Sequence, residues 1–316
     1  MTGYIGIDLG GTFIKGGLID QDGAIVLEKQ NPTQVGHGAD VIVESLVEIV
    51  RLIQKDASDD VDILGVGIGA PGCVKVTEGI YVEGPNLPDW KDFPVVSVLG
   101  EKLDLPVVVD NDANMAALGE YTYGAGQGCT DMMMVTLGTG VGSGLILDGR
   151  LYRGVHDTAG EFGHTTIQFE GPVCNCGRKG CVEAYIGTNG ILAALKAKLE
   201  TGRSSVLKEM EFEKIMPKDI GMAAERGDAL AVEVLHDVGY ALGVGCGNVA
   251  NLLNLERIVV GGGVSAAGDF ILEPARKGCR DMAMQVQGET IQIIPASLGN
   301  KAGFIGAACL AMLNSQ

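Results

Sequence analysis

The chain has 316 residues, 46% of them apolar and 20% charged, with a net charge of −17; such values fit a globular protein, the length points to two lobes, and the acidic surface argues against a nucleic-acid partner. Runs of about 18 apolar residues are lacking, and Asp8 interrupts the first apolar stretch, so neither a membrane partner nor a signal peptide is expected. A cytoplasmic location follows as the expectation, in which the 8 cysteines stay reduced or bind metal.

In chain order, residues 4–8 read as a strand, followed by a glycine turn, a second strand at 16–19 and a hairpin signal at Asp22-Gly23. Ile42, Leu46, Ile49 and Ile53 recur at helical spacing over 39–55. Buried strands follow at 63–68 and 106–109, the latter leading into a helix over 113–121. Residues 132–137 begin a new block of strands, and the C-terminal half is mostly helical, at 228–254 and 301–314, around a short strand at 257–260. Strands alternating with helices indicate an α/β protein.

One internal repeat organises this pattern. Ile7-Asp8-Leu9-Gly10-Gly11-Thr12 lies on Val135-Thr136-Leu137-Gly138-Thr139-Gly140 at an offset of 128 residues. Leu18-Ile19-Asp20 and Leu145-Ile146-Leu147-Asp148 follow the two copies. Two such hairpins suggest two similar lobes facing each other across a cleft.

Glycine turns after strands let backbone N–H groups approach phosphate oxygens. There are three: around Gly10, Gly11 and Thr12; around Gly138, Thr139 and Gly140; and at Gly261-Gly262-Gly263. Thr136 adds a hydroxyl, Lys15 a counter-charge, and Asp8 a carboxylate able to hold magnesium directly or through water. A P-loop pattern is absent. Gly67-Ile68-Gly69-Ala70-Pro71-Gly72 matches the dinucleotide pattern, but Pro71 would fall in the first turn of the helix and the expected acidic residue is missing, so an NAD-dependent dehydrogenase is set aside.

His164, Cys174, Cys176 and Cys181 supply four nitrogen and sulfur ligands within eighteen residues, a set that suits tetrahedral zinc. With four protein ligands the site is closed, so the expected role is structural. Glu161 and Glu183 flank this loop and could accept hydrogen bonds from a polyol.

On these motifs the chain resembles the ROK family of sugar kinases, within the actin-like ATPase and hexokinase superfamily, over essentially its whole length. Residues 5–15 are similar to the first phosphate motif, 137–144 to the second and 259–263 to the adenosine motif. Asn111-Asp112-Ala113-Asn114 resembles the catalytic segment, while Glu161-Phe162-Gly163-His164 and the run from Cys174 to Glu183 resemble the family signature. The resemblance implies a two-lobed actin-like (hexokinase-type) α/β fold with a structural zinc loop at 164–181. The smaller lobe is expected to hold residues 1–120 and about 300–316, with the last helix packed on it; 121–299 form the larger lobe.

It further implies ATP-dependent, magnesium-assisted phosphorylation of a hexose, glucose to glucose 6-phosphate before N-acetylmannosamine or N-acetylglucosamine. Asp112 becomes the general base, and Asn86, Asn111, Glu161, His164 and Glu183 sugar ligands, with one ring nitrogen of His164 on zinc and the other toward the sugar. Asp110 does not match the catalytic position, and Asp110→Asn is expected to keep much more activity than Asp112→Asn. The run Ala184-Tyr185-Ile186-Gly187-Thr188 departs from the small-Ser/Ala-Gly run of many relatives and leaves the choice of sugar open. The family also contains repressors with an N-terminal winged helix. A phosphate motif starting at residue 5 leaves no room for one; the alternative of a different class is a non-catalytic sugar sensor, against which Asp112 and both phosphate motifs argue. Family members are commonly dimeric, and a homodimer or higher homo-oligomer is expected.

Overall fold

The computed structural model describes residues 1–84 and 86–315. Pro85, inside the Gly84-Pro85-Asn86-Leu87 stretch, lies outside the described residues. The chain forms two compact units: Met1–Gly128 with Gly144–Gly160 and Ser297–Gln316, and Cys129–Ser143 with Glu161–Ala296.

The chain opens with β1 (Thr2–Leu9), β2 (Phe13–Asp20) and β3 (Ile25–Pro32), then α1 (Ala39–Asp56), β4 (Asp62–Ala70), β5 (Cys73–Lys75), β6 (Ile80–Glu83), α2 (Val95–Leu103), β7 (Val107–Asn111) and α3 (Asp112–Tyr123). The sheet order is β3-β2-β1-β4-β7, antiparallel across the β1–β2 and β2–β3 pairs and parallel across β1–β4 and β4–β7. Every position of the helical stripe Ile42, Leu46, Ile49 and Ile53 is buried, against Ile7, Ile14 and Leu18 among others. β3 alternates half-buried with exposed residues and carries Glu28, Lys29 and Pro32, the composition of a protected edge strand.

The second half contains β8 (Met132–Leu137), β9 (Val141–Leu147), β10 (Arg150–Tyr152), α4 (Glu183–Ile186), α5 (Thr188–Glu200), α6 (Pro217–Glu225), α7 (Ala229–Leu253), β11 (Arg257–Gly261), α8 (Asp269–Met282), α9 (Gln285–Thr290), β12 (Gln292–Pro295) and α10 (Ala302–Asn314). Its sheet runs β10-β9-β8-β11-β12, with β9–β10 antiparallel and β8–β11 and β11–β12 parallel. The two strand orders correspond position by position, β1 with β8, β2 with β9, β3 with β10, β4 with β11 and β7 with β12, which extends to five strands the hairpin repeat seen in the sequence.

α10 packs on β1, β4 and α3. Backbone approach sets the spacing: a Cβ at Gly67 would lie 1.8 Å from the Ala307 carbonyl oxygen. The glycines of the dinucleotide-like pattern therefore serve helix–sheet packing, and the chain passes from β4 into β5 rather than into a helix. α7 is long and apolar enough to cross a membrane by length and composition alone, but Glu233, His236 and Asp237 interrupt its apolar residues, 56% of its most apolar window is buried, and it packs against α8 as a core helix.

Candidate functional site

In the first unit the parallel strands β1, β4 and β7 end together, with Asp8 paired to Gly69, Gly69 to Asp110 and Ala70 to Asn111. Carboxyl ends of parallel strands are where α/β proteins bind ligands. Asn111 is the N-cap of α3: its Oδ1 accepts from the N–H groups of Ala113 at 2.9 Å and Asn114 at 3.1 Å, and its Nδ2 donates to the Gly72 carbonyl at 3.1 Å. Capping thus falls to Asn111, and Asp112 opens the first turn of the helix, half-buried, with Oδ1 accepting from the Ala113 N–H at 2.9 Å. Burial pushes the Asp112 carboxyl up to about 7; the Asp8 charge acts in the same direction and the Ala113 N–H opposes it. Burial also raises the Asp8 carboxyl, opposed by Lys15, its register partner on β2. Asn86 is exposed, and its Cβ stands 3.9 Å from where a Cβ on Gly11 would be.

The turn carrying Gly10, Gly11 and Thr12 closes with the Gly10 N–H on the Phe13 carbonyl at 3.0 Å. The buried Thr33 hydroxyl donates to the Gly10 carbonyl at 2.5 Å, and the Thr33 N–H to the Thr12 carbonyl at 3.0 Å. In the second unit, the Gly138 N–H donates to the Gly140 carbonyl at 3.0 Å, and the Thr188 hydroxyl and N–H both reach the Gly138 carbonyl, at 2.9 and 3.1 Å. Each turn is thus pinned by a threonine from a distant part of the chain, and neither threonine has a local sequence signal. Thr136, next to last in β8, pairs with Gly261, and Thr139 is exposed at the turn's tip. Gly262 has φ +87 and packs on Leu137, where a Cβ would sit 2.3 Å from the carbonyl oxygen, so the second and third turns lie side by side. Gly263 is different: nothing lies within 4 Å of a Cβ built there, which leaves its backbone open to a ligand.

The four candidate zinc ligands converge, with all ligand atoms within 4.8 Å of one another. Cys176 and Cys181 Sγ are 3.7 Å apart, and Cys174 Sγ is 3.8 Å from His164 Nδ1. Tetrahedral zinc with Zn–S near 2.3 Å requires S···S edges of about 3.8 Å, so the residues fit the ion. Backbone bonds shape the loop, from the Cys174 N–H to the Arg178 carbonyl at 2.8 Å and the Gly177 N–H to the Cys174 carbonyl at 2.9 Å. Burial pushes the Cys174 thiol up to about 12, an unfavourable setting for a thiolate unless a cation joins it.

The Nδ1 edge of His164 faces the cluster, and Nε2 points toward Glu161, 3.9 Å from Oε2. Glu161 itself is exposed. Glu183 links two features: Oε1 accepts from Cys174 Sγ at 3.3 Å and Oε2 from the Val141 N–H at 3.0 Å, beside Gly140. Sequence reasoning also missed the ion pair next to Asp112. Asp110 is 1% exposed and accepts from Arg153 Nε at 2.6 Å, so it is a buried structural carboxylate rather than a bystander.

The structure therefore gathers Asp8, Asn111 and Asp112 at one sheet end of the first unit, near a turn and Asn86. It gathers Gly138, Thr139, Gly140, Gly262, Gly263, Glu183 and the His164–Cys174–Cys176–Cys181 cluster in the second.

The model of the family described as ROK matches residues 4–313. A glucokinase of Halalkalibacterium halodurans is 38% identical over 312 residues, covering 97% of this chain and 94% of the relative. A xylose repressor of Caldicellulosiruptor bescii is 31% identical over 314 residues, 99% of this chain but 78% of that longer protein. Among solved structures, a Streptomyces griseus glucokinase in complex with glucose and AMPPNP superimposes with a TM-score of 0.83 at 36% identity, covering 98% of this chain and 99% of the other.

Proposed function

We propose that this chain, which belongs to the ROK family, is a sugar kinase that transfers the γ-phosphoryl of ATP to a hexose, with glucose as the first substrate to test. The observation that carries this reading is Asp112, freed from capping by Asn111 and held near pH 7 by burial. A sugar hydroxyl is a poor nucleophile while protonated, and a carboxylate titrating near neutrality can orient it and accept its proton as the phosphoryl departs.

The remaining roles follow from chemistry. Exposed N–H groups of the glycine turns suit the phosphates, and the open Gly263 suits the approach of the nucleoside. Asp8 would hold magnesium directly or through water; the ion, when bound, neutralises charge on the phosphates. Zinc on His164 Nδ1 would fix the imidazole so that Nε2 presents a set tautomer to a sugar hydroxyl, with Glu161, Glu183, Asn86 and Asn111 as further hydrogen-bond partners. The reported glucokinase complex with glucose and AMPPNP supports this pairing of sugar and nucleotide.

The likeness to a xylose repressor favours a second reading, a sugar sensor without turnover. One experiment separates them: ADP release measured with magnesium and ATP across glucose, mannose, fructose, N-acetylglucosamine, N-acetylmannosamine and xylose. Release above background with a hexose is the expected result. Sugar binding without release from any of them sinks the kinase reading and leaves the sensor.

A further inference from the structure

The corner that carries Asp112 is held from a distant part of the chain. The Asp110 carboxylate accepts from the Asn111 N–H at 2.6 Å and Asn114 Nδ2 at 2.9 Å, so one group grips both sides of Asp112. Its second oxygen takes Arg153 Nε at 2.6 Å, from the segment just after β10. That segment is closed on itself by the Ala159 N–H on the Arg153 carbonyl at 2.9 Å. It also receives the Val76 N–H on Asp157 Oδ2 at 3.1 Å, next to the β5–β6 hairpin that carries Tyr81. Every one of these residues belongs to the first unit.

We propose that Arg153 is a positioning residue that acts through Asp110 to fix the orientation of Asp112. A buried carboxylate needs a charged or multiply hydrogen-bonded partner, and the guanidinium supplies it at a defined angle. Arg153 also cancels a negative charge two residues from the proposed base. The other groups around Asp112 are Asp8 from β1, with Lys15 from β2 beside it, and Tyr81 from β6, itself near Cys73 and Glu83. From α10, Gly303 packs against the Asp8 carboxyl, where a Cβ would lie 3.0 Å from Cγ. At the Asp110–Arg153 pair a neutral substitution of either partner leaves a full charge of the opposite sign close to Asp112, as it would at Asp8 and Lys15, but here without touching the proposed magnesium ligand.

Opposite substitutions should therefore shift the base in opposite directions. Arg153→Gln uncovers the Asp110 anion and should raise the apparent pKa of Asp112. Asp110→Asn uncovers the Arg153 cation and should lower it, and the double variant should return toward wild type. The inference rests on the kinase reading only for its turnover arm. That arm expects a kcat loss of about tenfold or more for Arg153→Gln, with sugar KM changed less than about threefold, because displacement of a base costs turnover more than binding. The other arm follows the Asp112 carboxyl carbon by NMR with 13C-labelled aspartate, assigned by its loss in Asp112→Asn, and needs no catalysis. If the two single variants moved the titration in the same direction, or not at all, the positioning role would be wrong even in an active enzyme. If the wild type released no ADP, the kinase reading would fall while the titration still decided the role of Arg153.

Discussion

Asp112→Asn separates stability from catalysis at one atom. Asn111 supplies the N-cap, so the substitution leaves the start of α3 capped, and an amide oxygen can still accept from the Ala113 N–H. What changes is the cost of ionisation. The carboxyl moves from an ordinary 3.8 to about 7 on folding. Between those values the folded protein holds a proton that the unfolded chain releases, so this group's contribution falls as pH rises from about 4 through 7. At 1.36 kcal/mol per unit, roughly 3 units set a ceiling of about 4 kcal/mol. Partial exposure and the new amide's need for partners reduce it, and a gain of roughly 1–2 kcal/mol for the variant at pH 8 is the expectation. The measurement is urea unfolding of both proteins at pH 4, 6 and 8, with their difference growing as pH rises. The same variant should lose about 10² to 10⁴ in kcat and keep its sugar affinity. In the wild type, kcat should rise with pH through about 7 as the base ionises. A variant less stable than wild type at pH 8, or one with kcat within about threefold of wild type, would refute the reasoning.

Other substitutions test the remaining parts. Cys176→Ala should lose zinc, measured by metal analysis, and weaken sugar binding by releasing His164 and Glu183, while the global fold survives; unchanged affinity without zinc would contradict the link. Gly262→Ala should be destabilised by several kcal/mol, since it combines φ +87 with a 2.3 Å approach to Leu137, whereas Gly263→Ala should melt normally and bind ATP more weakly, by calorimetry. Thr33→Val and Thr188→Val should each raise the KM for ATP several-fold at little cost to sugar affinity, with Ser restoring it; equal behaviour of Val and Ser would show that the hydroxyls do not hold the turns.

The sequence exposed the parts of this fold whose signals are local. Apolar patterning located α1 and β8 to within a residue and β1 to within two, because apolar side chains there fill a core. The metal loop was legible because four ligands lie within eighteen residues. β3 was not, since an edge strand with Glu28 and Lys29 buries little. α8 was missed as well: Pro274 lies inside it, a residue that normally argues for a break. Long-range partners left no trace at all. Thr33, Thr188 and Arg153 gain their meaning from groups 23, 50 and 43 residues away.

Those long-range bonds also show how the internal repeat was built upon. The two glycine turns share a strand order, an inner N–H···O bond of 3.0 Å and a threonine hydroxyl on the first glycine's carbonyl. A carbonyl fixed in this way turns the following N–H groups of the loop outward, which is what a phosphate requires. The threonines come from unrelated places, one just after β3 and one at the start of α5, so the repeat does not extend to them. Glu183 then distinguishes the second copy, because its carboxylate joins that turn to Cys174 of the metal cluster, whereas the first copy has Asp8 beside Lys15 and Asp112. In the proposed kinase the first hairpin's carboxylate, Asp8, would serve the magnesium beside Asp112. In the second copy Glu183, two residues after the zinc-ligand candidate Cys181, holds the Val141 N–H of the turn, so loss of zinc should reach the nucleotide as well as the sugar. That coupling gives a last expectation: Cys176→Ala should weaken ATP binding more than Glu183→Gln does, since the amide keeps an acceptor for Val141 while loss of the metal releases the whole loop. Calorimetry showing nucleotide affinity unaltered in Cys176→Ala would confine the zinc to the sugar side.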